Sequence, residues 1–414
     1  MLLIYDVMKL KLYLLLLTVL FLSRGFAQEN DEMDKYIENG LISIADKDGM
    51  SWQTKAGDFL FKPYTLIQTR GIFNYYDDEG LSLADEDNVL NTGFEIPYAL
   101  IGFAGKAFDK ITFNVALNAA SSGATLLNQA WFDINVKDEL RFRVGKFKTP
   151  FNQAFLVRNG QTLFPMLPAS LTTRMNIPFS LNSVNPKLST GFDIGVQMHG
   201  VLQNTVGYQL GIFNGTGSTV NTATNTLSDE NGLPSLLYAG RLTYMPNGPM
   251  PQYQGNPSRQ DENFLLLGVS GSYNVEANYE SSNDLRAGFE FALLHNRWYF
   301  SGEAYMMSMD FVERQQESPV YTFWGSYAQA GYFINSKLQP AIRVDLLDRN
   351  GTDEEGILYM PAIGLNYYMS GHNLKLQTMY QYLGKAGHAS TADANDDDNG
   401  LSEHQFCVQL QFAF

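Results

Sequence analysis

In the last eleven residues, HQFCVQLQFAF, apolar and polar side chains take turns. Phe406, Val408, Leu410, Phe412 and Phe414 share one parity, and Gln405, Gln409 and Gln411 the other. A period of two marks an extended strand with one apolar face, because successive side chains point to opposite sides of the backbone. The same alternation runs through NLKLQTMYQYLG, KLQPAIRVDLL, DLRAGFEFALL, TGFDIGVQMHG, ELRFRVGKF and KITFNVALNA. Along the whole chain it predicts sixteen strands, near residues 59–75, 94–106, 110–119, 126–136, 139–148, 190–201, 204–213, 235–246, 263–275, 284–294, 297–309, 319–334, 337–347, 356–369, 373–384 and 404–414.

Hydrocarbon offers backbone groups no hydrogen-bond partner, so a sheet crosses a membrane only as a closed cylinder without edges. Apolar side chains then face lipid and polar ones the lumen. Tight connections such as LLHNRW and INSKLQ, and long polar ones such as PNGPMPQYQGNPSRQDEN and GKAGHASTADANDDDNGLSEH, predict short turns at one end and long loops at the other. Tyr367, Tyr368, Tyr380 and Tyr382, near strand ends, suit the aromatic girdles at the lipid interfaces. The fold expected is all-β: a transmembrane antiparallel β-barrel of about sixteen strands. A soluble β-sandwich is the alternative; it also alternates but rarely needs so many strands of this length.

The N-terminus agrees with that destination. Lys9 and Lys11 precede the apolar run LYLLLLTVLFL, and SRGFAQ then places Gly25 and Ala27 at a small-residue cleavage site. Residues 1–27 read as a secretory signal peptide, with Met8 as a better start. Cleavage leaves 25 basic against 42 acidic residues, a formal charge of −17. No later apolar stretch approaches the roughly eighteen residues of a membrane-spanning helix. The single cysteine, Cys407, excludes an intramolecular disulfide framework. Residues 28–57 read as a periplasmic lead-in with one short helix, and 58–414 as the barrel in the bacterial outer membrane.

Against this acidic background one block is basic. Between Glu139 and Asp193 there is no acidic residue, where the chain's average would place about five or six. Arg141, Arg143, Lys146, Lys148, Arg158, Arg174 and Lys187 lie in it. Strand parity turns Leu140, Phe142 and Val144 toward lipid and Arg141 and Arg143 toward the lumen, since charge facing lipid at mid-depth costs about 2–4 kcal/mol. The segment 149–189 that follows is too long for a plain connection, and such segments are usually functional. Folded into the lumen it forms a constriction loop that presents Arg158, Arg174 and Lys187. A pore ringed by fixed positive charge favours anions. The competing readings are a solvated basic loop, or a loop packed outside against a neighbouring subunit.

LRFRVGKFKTPFNQAFL, then GFDIGVQMHG and YQLGIFNGTG, resemble the signature run of the phosphate-selective porins O and P. The resemblance extends from about Gly40 to Phe414 and is densest over residues 90–217. It implies a sixteen-stranded barrel, usually a homotrimer, with a constriction loop after the strand of Arg141 and Arg143, and passive uptake of anions, phosphate among them. One strand departs from the pattern: FEIPYALIGFAGK carries Pro97, Tyr98 and Leu100 where an Arg-Arg-Ala-Arg type strand is common. Elsewhere the expected inward charges nearly cancel, with Arg141, Arg143, Arg241, Arg286, Lys337, Arg343 and Lys375 against Asp133, Glu139, Asp193, Glu290, Glu303 and Asp345.

Other chemistries lack their residues. ADANDDDNGLSE begins like a calcium loop, but Phe406 stands where the bidentate glutamate belongs. His199, His295, His372, His388 and His404 show no metal-ligand spacing, and no Gly-x-Ser-x-Gly motif is present. No cofactor, metal or nucleic-acid partner is expected, and an enzyme only as a Ser and a His on adjacent strands. The expected function is an outer-membrane porin for small anionic or polar solutes, with outer-membrane lipid around it. Its anion-binding residues are Arg141, Arg143, Lys146, Lys148, Arg158, Arg174, Lys187, Arg241, Arg286 and Arg343. The alternative is a plugged barrel serving as a surface binding or structural module.

Overall fold

Each of the sixteen expected segments is a strand in the computed structural model, with ends within two residues of those expected. The structure describes residues 41–46, 49–54, 57–77, 92–108, 110–173, 190–217, 235–257, 261–277, 282–311, 320–348, 357–386 and 402–414. The strands are β1 (Leu41–Asp46), β2 (Gly49–Thr54), β3 (Phe59–Asp77), β4 (Gly93–Ala107), β5 (Ile111–Asn118), β6 (Leu127–Lys137), β7 (Leu140–Lys148), β8 (Phe192–Leu202), β9 (Val206–Phe213) and β10 (Leu237–Tyr244). They continue as β11 (Asn263–Ala277), β12 (Ser282–His295), β13 (Trp298–Phe311), β14 (Val320–Tyr332), β15 (Leu338–Asp348), β16 (Ile357–Tyr359), β17 (Ala362–Ser370), β18 (Leu374–Ala386) and β19 (Ser402–Ala413).

From β3 onward, neighbours in the chain pair antiparallel, and β19 returns to β3 from Ser402↔Asp77 to Ala413↔Leu66. The sheet thereby closes on itself. β16 and β17 are halves of one strand, since both pair with β15 and with β18. The break falls at Pro361, which has no N–H to give to a ladder. Counted once, that pair makes a barrel of sixteen strands.

The barrel is apolar outside and polar or packed inside. On β15, Ile342 and Val344 are 61% and 53% exposed, whereas Arg343 and Asp345 are 1% and 0% exposed. Period two thus separates a lipid face from an interior one on the same strand. β12, with 14 residues, is about 46 Å long at ~3.3 Å per residue and rises about 33 Å at ~45° tilt, enough to cross an apolar band of about 25 Å.

Three expectations change. Residues 28–40 of the lead-in lie outside the described residues, and where a short helix was expected nearby, β1 and β2 form a hairpin that extends the sheet through Trp52↔Phe61. The segment PNGPMPQYQGNPSRQDEN was grouped with the long loops of the far end. It joins β10 to β11 at the end that holds the short turns 138–139, 203–205, 296–297 and 371–373. Lys337, expected in the lumen, sits in an exposed turn before β15.

The interior is also less polar than alternation alone predicts. Tyr305, Met307, Met309, Tyr321, Phe323 and Tyr327 point inward from β13 and β14 and form a buried cluster with Phe151, Ala154 and Leu171. Apolar inward side chains are explained by what covers them, namely the segment between β7 and β8.

Candidate functional site

That segment leaves the wall at Gly145–Lys148. Gly145 has φ +126, and a Cβ there would stand 2.1 Å from Ala130 O, so the motif glycine is required by a close backbone approach. Beyond it, short helical turns at Gln153–Leu156 and Ala169–Thr172 and a 3-10 turn at Asn159–Gln161 fold across the lumen. Glu303 on β13 accepts the backbone N–H of Gln153 at 3.0 Å and of Ala154 at 2.6 Å, together with the Tyr327 hydroxyl at 2.7 Å. Asp345 on β15 accepts the N–H of Ser170 at 3.3 Å.

The segment's carbonyls face donors from the wall. Gln68 bonds Asn159 O, Gln411 bonds Gly160 O, Lys375 and Gln377 bond Thr162 O, Asn366 bonds Leu163 O, Arg70 bonds Pro165 O and Arg343 bonds Met166 O. Each such bond is worth about 1 kcal/mol, and those to charged groups about 1.5–3. The absence of acids from residues 149–173 has a local reason here. The segment offers N–H groups to buried carboxylates and carbonyls to cations, and a carboxylate of its own would face Glu303 or Asp345.

A second segment enters from the other end. Gln254 in the β10–β11 connection donates its N–H to Gln161 O at 2.9 Å and accepts the N–H of Leu163 at 2.7 Å. Gln252 O receives the N–H of Arg158 at 3.4 Å. Together the two segments pack against the barrel wall from β12 through β19 and onto the middle of β3.

Between Leu156–Gln161 and the opposite wall, β3 to β10, a cavity of about 1380 Å³ is left. Among the described residues, Lys62, Arg141, Arg143, Lys148, Arg158 and Arg241 line it, and the acidic side chains on it are Asp138 and Glu139, both in the β6–β7 turn. The near-cancellation counted from strand parity does not reach this surface. Glu303 and Asp345 are buried under the segment. Asp193 is 1% exposed and accepts the N–H groups of Ile194, Gly215 and Gly217, which gives the GFDIG and FNGTG motifs a shared structural role. Asp133 and Glu290 are likewise buried, beside Arg143 and Arg241.

The expected site residues therefore separate. Arg143 is central: its guanidinium bonds Asp133 at 2.6 Å and lies 4.2 Å from the Trp131 ring, and His199 Nε2 is 2.9 Å from the same carboxylate. Arg241 bonds Glu290 at 2.6 Å and Gln153 at 2.6 Å, and Arg141 pairs with Asp138 at 2.8 Å in the turn. Lys148 gives its ammonium to Phe155 O, Val157 O and Asn159 Oδ1 at 2.6, 2.8 and 3.1 Å, and so pins the start of the segment. Arg158 is exposed and has no carboxylate partner among the described residues.

Others fall elsewhere. Lys146, expected in the lumen, takes the outward register of β7, opposite Ala130 and Ile194, and does not line the cavity. Arg286 is buried against Asp284 at 2.6 Å, and Arg343 is buried under the segment against the Phe164 ring. Arg174 and Lys187 lie outside the described residues. Lys62, Tyr64 and Arg70 join the site from outside the basic block, and the period of two in LFKPYTLIQTRG puts all three on the inward face of β3.

A family model described as phosphate-selective porin O and P matches residues 67–414. An anion-selective porin from Comamonas acidovorans superposes with a TM-score of 0.56 at 11% identity, over 86% of this chain and 100% of that one. OmpF of Salmonella typhi, solved with daunomycin, gives 0.53 at 12% identity, over 90% of this chain and 100% of that one. The outer-membrane channel DcaP of Acinetobacter baumannii gives 0.51 at 10%, over 87% and 99%. At these identities the structural likeness shows the fold. No curated protein matches the chain.

Proposed function

The chain belongs to the phosphate-selective porin O and P family, an outer-membrane porin by that membership, and we propose that it prefers anions and passes them beside the lumenal segment. Passage is passive diffusion through the space between residues 156–161 and the β3–β10 wall. The observation that carries the preference is the unequal fate of the charges. The inward carboxylates are used as anchors for the segment or as buried ion-pair partners, while among the described residues Lys62 and Arg158 border the cavity with no carboxylate paired to them. In a narrow, low-dielectric bore that imbalance concentrates anions and repels cations. The preference of the Comamonas acidovorans porin for anions agrees with this reading.

Among the described residues the two folded segments leave the cavity beside the β3–β10 wall open, which favours a channel over a fully plugged barrel. Planar-bilayer recording across a KCl gradient tests both parts. A reversal potential of anion sign is expected. A cation sign overturns the anion preference, and absence of conductance overturns the channel.

A further inference from the structure

Chloride or phosphate needs charge and width; the cavity holds more than these. Tyr64 passes its ring directly over Gly102 of β4, where a Cβ would stand 2.3 Å from Tyr64 Cζ. Glycine there lets the ring lie against the wall and turn its other face to the lumen. The Tyr64 hydroxyl donates to Asn114 Oδ1 at 2.9 Å, and Trp131 Nε1 donates to Gln129 Oε1 at 3.3 Å. Both amide oxygens are thus taken by aromatic donors, and the Gln129 amide also bonds Tyr64, which leaves each amide at least one N–H for a solute. Across from them stands Arg158, within electrostatic reach of Tyr64 and held at its backbone by Gln252 O.

An aromatic plate, amide donors and an unpaired guanidinium around one cavity match a solute with three features. A ring offers its C–H face to Tyr64, hydroxyls accept from amides, and a carboxylate pairs with arginine. A bare inorganic ion uses only the last of these. Resting on the porin reading above, we propose that this cavity is a subsite for a ring-shaped hydroxycarboxylate of the hexuronate class. Its carboxylate sits on Arg158, its ring on Tyr64 and its hydroxyls on Asn114 and Gln129. The volume of about 1380 Å³ admits such a solute with water beside it.

Titration calorimetry on the full-length protein in detergent, paired with chloride currents from the same preparation, tests this. Galacturonate is expected to bind about tenfold or more tightly than galactose, acetate or phosphate, since each of those lacks the charge or the ring. Arg158→Gln and Tyr64→Leu should each weaken galacturonate about tenfold in the calorimetry. Arg158 is exposed on the segment, so its variant tests the site without a buried contact. Equal binding of acetate, phosphate and galacturonate would show that charge alone is read and overturn the subsite, leaving the anion porin standing. Equal binding of benzoate and galacturonate overturns the hexuronate assignment. A channel that conducts chloride yet binds no galacturonate sinks the proposal alone, whereas loss of conductance in the unaltered protein removes the porin reading and leaves the calorimetry to judge the subsite.

Discussion

Glu303 Oε1 on β13 accepts the backbone N–H of Ala154 at 2.6 Å, joining residues 149 positions apart across the inside of the barrel. The same carboxylate takes the N–H of Gln153 and the Tyr327 hydroxyl, so one buried charge holds the start of the lumenal segment. Removing it leaves two backbone donors unpaired in a buried place, at about 1–3 kcal/mol each. Glu303→Ala should release the segment from the wall without opening the barrel. Single-channel recording is expected to show larger and noisier conductance, with heat-modifiable gel mobility retained. Unchanged conductance would mean that the segment does not limit flow.

Anion preference should depend on where a cation stands, not on how many the chain carries. Arg158 borders the cavity without a carboxylate partner among the described residues, whereas Lys146 takes the outward register opposite Ala130 and Ile194. Arg158→Glu replaces a positive by a negative charge at the narrowed path. The anion-to-cation permeability ratio should fall several-fold, by roughly tenfold for a change of ~1.4 kcal/mol in relative ion energy. Lys146→Gln should leave the ratio where it was. Equal effects of the two would refute the placement of the path.

Strand positions were legible because barrel walls repeat a local rule. Ile342, Arg343, Val344 and Asp345 announce their faces without reference to anything distant. What reached across the chain was not legible. Met307 and Met309 point inward where strand parity alone calls for polar side chains, and Phe151 and Leu171 cover them. Glu303, Asp345 and Asp193 count as pore charges by parity, and only their partners, Ala154, Ser170 and Gly215, show that they are occupied. The β10–β11 connection looked like an external loop from length and polarity. Its end of the barrel follows from counting strands from the N-terminus, a global quantity that one window cannot hold. Lys62 and Arg70 are legible by parity on β3, a strand that the basic block of residues 140–192 does not include.

Gly102 offers a steric test of the path. A Cβ at that position meets Tyr64 Cζ at 2.3 Å and the hydroxyl at 2.6 Å, both atoms of a side chain that can swing toward the lumen. Gly102→Ala should therefore displace the Tyr64 ring into the cavity and break its bond to Asn114. Single-channel conductance is expected to drop while the barrel stays folded, and Tyr64→Ala in the same chain should restore it. If the double variant conducts no better than Gly102→Ala alone, the ring is not what narrows the passage.

His372 lies in the turn between β17 and β18, partly buried at the edge of the cavity, with Nε2 2.9 Å from Gly255 O in the β10–β11 connection. Burial, reinforced by the charge of Lys375, pushes its pKa down to about 3. The neutral imidazole donates to Gly255 and so ties the turn to the connection that braces the lumenal segment. In the unfolded chain the same ring titrates near 6.5. A base with a depressed folded pKa favours the unfolded state as soon as that state can take up the proton. This residue's contribution to stability should thus be level above about pH 6.5 and be lost progressively as the pH falls toward about 3, at no more than about 1.4 kcal/mol per unit. Thermal unfolding in detergent, followed by gel mobility between pH 8 and pH 4, reads that limb. His372→Gln keeps an amide N–H for Gly255 O and removes the titration, so its acid limb should be shallower than that of the unaltered protein. Parallel limbs for the two proteins would assign the acid sensitivity to other groups.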